Sequence, residues 1–151
     1  MPHIHELYDL TITAFIVHDG KVLLVNHPRY EMWLPVGGHV ELDEDPEQAL
    51  YREIEEESGL EVKILSDEPP VKANDRKFIP TPAYVDVHDA NPPHKHINLV
   101  YFARALSNKH VLTAEHTDMR WLTPADLEKP EYKLSKSLKF YCREALKAAK
   151  T

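Results

Sequence analysis

The chain has 151 residues, 42% hydrophobic and 28% charged, a globular composition that excludes wholesale disorder. Its formal charge of −7 excludes the basic surplus of an electrostatic nucleic-acid binder, so no nucleic-acid polymer is expected as a partner. Cys142, the single cysteine, can form neither an intrachain disulfide nor a cysteine-rich zinc site.

No stretch approaches the ~18 apolar residues of a membrane span, and Met1–Leu10 lacks the pattern of a signal peptide. The expectation is one cytoplasmic domain over 1–151 with no membrane partner. In chain order, Leu10–His27 reads as a β-hairpin, with two runs of Val, Ile and Leu around Asp19-Gly20, a pair suited to a tight turn. Pro35, Gly37 and Gly38 then mark a strand or loop that passes close to something and turns.

Asp45-Pro46-Glu47-Gln48 opens a helix, with Asp45 as cap, Pro46 at the first helical position and Gln48 closing a capping box. Gly59 followed by Leu60 closes it in the manner of a Schellman motif. Strands are expected at Glu61–Ser66, Ala83–His88, His96–Leu106 and Asp118–Leu122, with loops over Asp67–Pro82 and Asp89–His96. Thr123–Asp126 reads as a helix start, and a last helix runs from about Lys133 to Ala149. Cys142 falls on the apolar stripe of that helix, with Leu138 and Leu146. This order implies a mixed sheet with helices packed on it, an α/β (α+β) domain.

The helix after Asp45 ends in acid. At about 100° per residue, Glu53, Glu56 and Glu57 share an arc of about 100°, Arg52 flanks it, and Leu50 and Ile54 form the burying face. Glu55 points away. Like-charge pairs at these spacings cost roughly 0.2–0.5 kcal/mol each, and opposing the helix dipole costs about 0.3–1 kcal/mol. A divalent cation reverses the sign of these terms, and clustered carboxylate oxygens suit Mg²⁺ or Mn²⁺. A solvated acidic helix end is the alternative.

From Gly38 the spacing is five residues to Glu44, seven more to Arg52, then Glu53-Ile54-Glu55-Glu56-Glu57-Ser58-Gly59-Leu60. This run, 38–60, resembles the complete Nudix box, G-x5-E-x7-R-E-U-x-E-E-x-G-U, a match expected by chance on the order of 10⁻⁹ of the time at a given start. The layout of about Asp9 to Leu127 is similar to MutT-like members, with Val36 a departure just before the paired glycines.

The resemblance implies a Nudix-type α/β/α sandwich and a hydrolase that cleaves a phosphoanhydride bond in a nucleoside diphosphate linked to another moiety. It implies Mg²⁺, with Mn²⁺ possible, held by Glu53, Glu56, Glu57 and the carbonyl of Gly37. Glu53 acts alternatively as the general base or orients it, Arg52 holds a helix carboxylate, and Gly38, Glu44 and Gly59 support the loop and helix. Glu115, six residues before Trp121, is a further metal candidate, with Asp118 as fallback.

Substrate candidates are Arg29, Tyr30, Trp33, His39 and Arg76; Lys72, Arg76 and Lys77 make their loop locally basic. His94-Lys95-His96 raises a second, histidine-based metal reading against that of a solvated turn or a phosphate contact. The expected substrate is a small nucleotide, first a nucleoside triphosphate cleaved to monophosphate and pyrophosphate, with ADP-ribose or a nucleotide sugar as the alternative. Asn74-Asp75-Arg76 stands where ADP-ribose-selective members carry a proline. A non-catalytic ligand sensor on the same fold is the contrasting class; such domains lose box glutamates, and here all are present. An isopentenyl-diphosphate isomerase-like reading needs a catalytic cysteine, and Cys142 is misplaced for it. The sequence leaves monomer and homodimer equally open.

Overall fold

β1 (Tyr8–His18) is the strand around which the domain is built, and its alternation explains the layers. In the computed structural model, which describes residues 3–27, 31–110 and 118–150, Ile12, Ala14 and Ile16 face one core while Phe15 and Val17 face another. The period of two along a strand sends successive side chains to opposite faces, so one strand serves two cores. β1 pairs in parallel with β7 (Lys95–Ala105) over ten residues, from Tyr8 opposite Lys95 to Val17 opposite Arg104.

On its other edge β1 first meets β4 (Val36–His39) antiparallel, then β2 (Lys21–His27) across the Asp19-Gly20 turn. Both turn residues have positive φ, as the hairpin reading requires. β2 also pairs with β3 (Met32–Leu34) and β8 (Asp118–Leu122), while β5 (Val62–Ile64) and β6 (Tyr84–Asp89) pair with β7. The sheet is mixed, as expected.

Helix α1 (Pro46–Ser58) covers the Ile12 face through Ala49, Leu50 and Ile54, and α2 (Lys136–Ala148) covers the Phe15 face through Cys142, Ala145 and Leu146. The result is the α/β/α sandwich that the resemblance implies. Among the described residues no helix is long and apolar enough to cross a membrane.

Several boundaries differ from the sequence reading. The strand expected over Glu61–Ser66 contracts to Val62–Ile64. Thr123–Asp126 does not start an α-helix. Thr123 and Asp126 donate their backbone N–H groups to each other's side chains, a closed turn, and two 3₁₀ turns follow at Asp126–Glu128 and Pro130–Tyr132. The last helix begins at Lys136 rather than Lys133, because Lys133 is left-handed (φ 48°) and Ser135 supplies the cap to the Leu138 N–H.

Candidate active site

Helix α1 opens as the sequence dictates. The Asp45 carboxylate accepts the Gln48 N–H at 3.0 Å, and the Gln48 side chain accepts the Asp45 N–H at 2.9 Å, a complete capping box. It closes differently from a Schellman motif. Gly59, left-handed at φ 67°, donates to Glu55 O at 3.0 Å, while the Leu60 N–H goes to Ser58 Oγ. That single bond is the simpler αL cap, with Ser58 taking the donor that the Schellman pattern would send back to the helix.

Within this frame the box residues take distinct places. Glu57 is buried, 3% exposed, and accepts the Gly37 N–H at 3.4 Å. Glu53 is largely covered and lies against Gly38, where a Cβ would approach its Cδ to 2.7 Å. Glu56 is exposed, as is Glu55.

Arg52 organises the acid. Its Nε and Nη2 engage Glu44 at 2.6–3.2 Å, Nη1 donates to Glu53 at 2.9 Å and to Glu56 at 3.2 Å, and Nη2 also donates to His39 O at 3.1 Å. The bond from Arg52, with that from the Glu41 N–H, holds the Glu44 carboxyl below its usual range. In return Glu44, then Glu53, pushes the Arg52 guanidinium upward against the opposing effect of burial. One planar fork thus ties helix, loop and strand, work that an ammonium cannot do.

Gly37 permits the close approach of β4 to β1: a Cβ there would collide with the Ile12 carbonyl oxygen and stand 3.1 Å from Thr13 Cα. On the α2 face beside it opens a hollow of about 520 Å³. Gly37, Gly38, His39, Thr11, Thr13 and Asn98 are among its lining residues. Asn98 Oδ1 accepts both threonine hydroxyls, at 3.0 and 2.8 Å. Asp86 enters from β6, hydrogen-bonded to the Tyr141 hydroxyl at 2.6 Å and to His88 at 2.8 Å. Burial alone would raise the Asp86 carboxyl, but its bonds to Tyr141, His88 and Asn98 outweigh it and hold the group below the usual range.

Of the sequence candidates, Glu44, Arg52, Glu53 and Glu56 are joined in one network, while Glu57 and Glu53 meet β4 at Gly37 and Gly38. His39 lines the hollow. Trp33 does not: its ring packs edge-on against Tyr132 at 5.4 Å with the Arg120 guanidinium 5.1 Å above it. Arg76 pairs with Asp75 and lines a separate depression beside Tyr51. Lys77 is engaged by Asp45 and Glu47 at the N-terminus of α1. Arg29, Tyr30 and Glu115 lie outside the described residues. Asp118, the fallback, pairs with Arg120.

Sequence reasoning missed Thr11, Thr13, Asp86, Asn98 and Tyr141. The available signal was a few polar residues at covered positions of two strands whose central runs are apolar, Thr11 and Thr13 in β1 and Asn98 in β7.

A family profile for the NUDIX domain matches residues 7–143. The chain belongs to the NUDIX family of hydrolases. A crystal structure of a NUDIX-family hydrolase from Clostridium perfringens superposes with a TM-score of 0.80 at 31% identity, covering 93% of this chain and 97% of that one. A MutT NUDIX hydrolase from Burkholderia pseudomallei gives a TM-score of 0.64 at 29% identity, covering 95% of this chain and 98% of that one. A CTP pyrophosphohydrolase of Escherichia coli (strain K12) is 42% identical over 57 residues, 35% of this chain and 42% of that protein. The chain spans less than half the length of the curated relatives it matches.

Proposed function

We propose that this NUDIX protein is a divalent-cation-dependent pyrophosphohydrolase of MutT type, cleaving a nucleoside triphosphate to its monophosphate and pyrophosphate. The observation that carries the reading is the junction at Gly37-Gly38. There the backbone that lines the hollow also touches Glu57 and Glu53 of α1, so a ligand in the hollow lies next to the carboxylates.

The donor set fits Mg²⁺ or Mn²⁺: Glu53, Glu56, Glu57 and the Gly37 carbonyl offer hard oxygen, and Glu115 extends the set by sequence. A bound divalent ion supplies charge neutralisation on the phosphates and acidifies the attacking water. The remaining work belongs to the chain. Arg52 fixes Glu53 and Glu56 at the helix end, Glu53 takes or orients the water proton, and the rigid helix terminus keeps these groups aimed as charge shifts. Asp86, charged and half-buried in the hollow, offers an acceptor for an exocyclic amine such as N4 of cytosine. The relative named a CTP pyrophosphohydrolase supports the same base.

The test is a panel of nucleoside triphosphates, ADP-ribose and nucleotide sugars with Mg²⁺ and with Mn²⁺, read as pyrophosphate or monophosphate release. CTP and dCTP are expected to turn over ahead of UTP and dUTP. Preferred turnover of ADP-ribose or a nucleotide sugar moves the substrate assignment to the alternative; no turnover of any member overturns the enzymatic reading.

A further inference from the structure

Apart from the box glutamates, three neighbouring strands bring ligand-type side chains together on one face of the sheet. Asp9 on β1 stands directly opposite His96 on β7, and His39 on β4 is paired with Thr11, two residues along β1 from Asp9. Side chains two apart on a strand share a face, and neighbouring strands lie about 4.8 Å apart, so these three project side by side.

One ligand atom from each of Asp9, His39 and His96 lies within 4.8 Å of the others. His39 Nε2 is 3.9 Å from Asp9 Oδ2, and the two imidazoles meet at 4.9 Å with an interplanar angle of 89°. The strand ladders fix the backbones, and the Arg52 bond to His39 O pins β4 as well. Only side-chain rotation is needed to close the group to the roughly 3.3 Å ligand separation set by metal bonds of about 2.0–2.1 Å.

We propose that Asp9, His39 and His96 form a second metal site, selective for a borderline ion of the Zn²⁺ class, with its open coordination position toward the hollow. Two imidazoles and one carboxylate are a zinc donor set, and one that Mg²⁺ fills poorly. Three protein ligands leave a fourth position, and since His39 and His96 both line the hollow, that position faces whatever occupies it. The site draws on different residues from the box carboxylates and does not depend on the hydrolytic reading. It uses His96 but not its neighbour His94.

The test is titration of tag-free protein with Zn²⁺ and with Co²⁺ in millimolar Mg²⁺, which occupies the carboxylate site and leaves an imidazole site accessible. One equivalent of Zn²⁺ is expected to bind. His39→Ala and His96→Ala should each weaken it at least about tenfold, while His94→Ala leaves it unchanged, all three variants melting as folded proteins. Co²⁺ should give visible absorption that shifts on adding azide, as an open position requires. Binding abolished by Mg²⁺, or indifferent to both His39→Ala and His96→Ala, overturns the site. A Co²⁺ spectrum insensitive to azide overturns the open position.

Discussion

The Glu53 carboxylate occupies the space that a side chain at Gly38 would need. What would be displaced is the far end of a flexible side chain, so Gly38→Ala should fold with little loss of stability and still move Glu53. Hydrolysis is expected to fall by about tenfold or more with melting temperature nearly unchanged. Gly37→Ala is the opposite case: its Cβ meets the backbone of Ile12 and Thr13, which cannot give way. It should cost about 1–3 kcal/mol in denaturant unfolding. Equal effects of the two variants on stability would contradict this division.

Arg52→Lys keeps the charge and removes the fork. A lysine cannot span Glu44, Glu53, Glu56 and the His39 carbonyl at once. The variant should lose on the order of 1–2 kcal/mol of stability and about 10–100-fold in kcat. Urea titration beside steady-state kinetics checks both, and full activity would show that the arginine is only a surface partner.

Glu57 is buried against β4, and its charge is expected to be offset by cation binding. Mg²⁺ at millimolar concentration should therefore raise the melting temperature of the native protein. Glu57→Gln should abolish both that rise and phosphohydrolysis while the variant remains folded. A melting curve indifferent to Mg²⁺ would overturn the cation reading of these carboxylates.

Burial pushes the Cys142 thiol up from an ordinary 9.0 to about 12, Arg143 opposing weakly. The native thiol should stay unreactive toward a disulfide reagent at pH 8 and react fully once the chain is denatured. The sign for stability follows: the unfolded thiol ionises first, so the contribution of the neutral buried thiol is complete below pH 9.0 and is lost as pH rises toward about 12. Rapid labelling of the native protein would contradict its burial on the sheet-facing side of α2.

What was legible in the sequence was local. The capping box at Asp45 and Gln48, the Asp19-Gly20 turn and the Leu50/Ile54 face depend on residues a few positions apart, and the structure has all three. The start of α2 differs because Leu134 keeps the helical spacing while Lys133 breaks the helix by its left-handed backbone. The hollow was not legible at all. Asn98 meets Thr11 and Thr13 across 87 and 85 residues, and Tyr141 meets Asp86 across 55; only the strand register brings them together. Residue type alone makes Trp33 and Arg76 substrate candidates, whereas the structure packs Trp33 between Tyr132 and Arg120 and pairs Arg76 with Asp75.

The two-sidedness of β1 has a consequence for how this molecule can change. Its even-numbered side chains anchor the acidic helix, and its odd-numbered ones, Thr11 and Thr13 among them, form the wall of the hollow. Substitutions at the odd positions can therefore reshape the hollow while the carboxylate helix keeps its seat. The same strand cannot slide by one residue without exchanging the two faces, which would bury the threonines under α1 and turn Ile12 and Ala14 toward the hollow. The wall of the hollow is thus free to drift by side chain but locked in register.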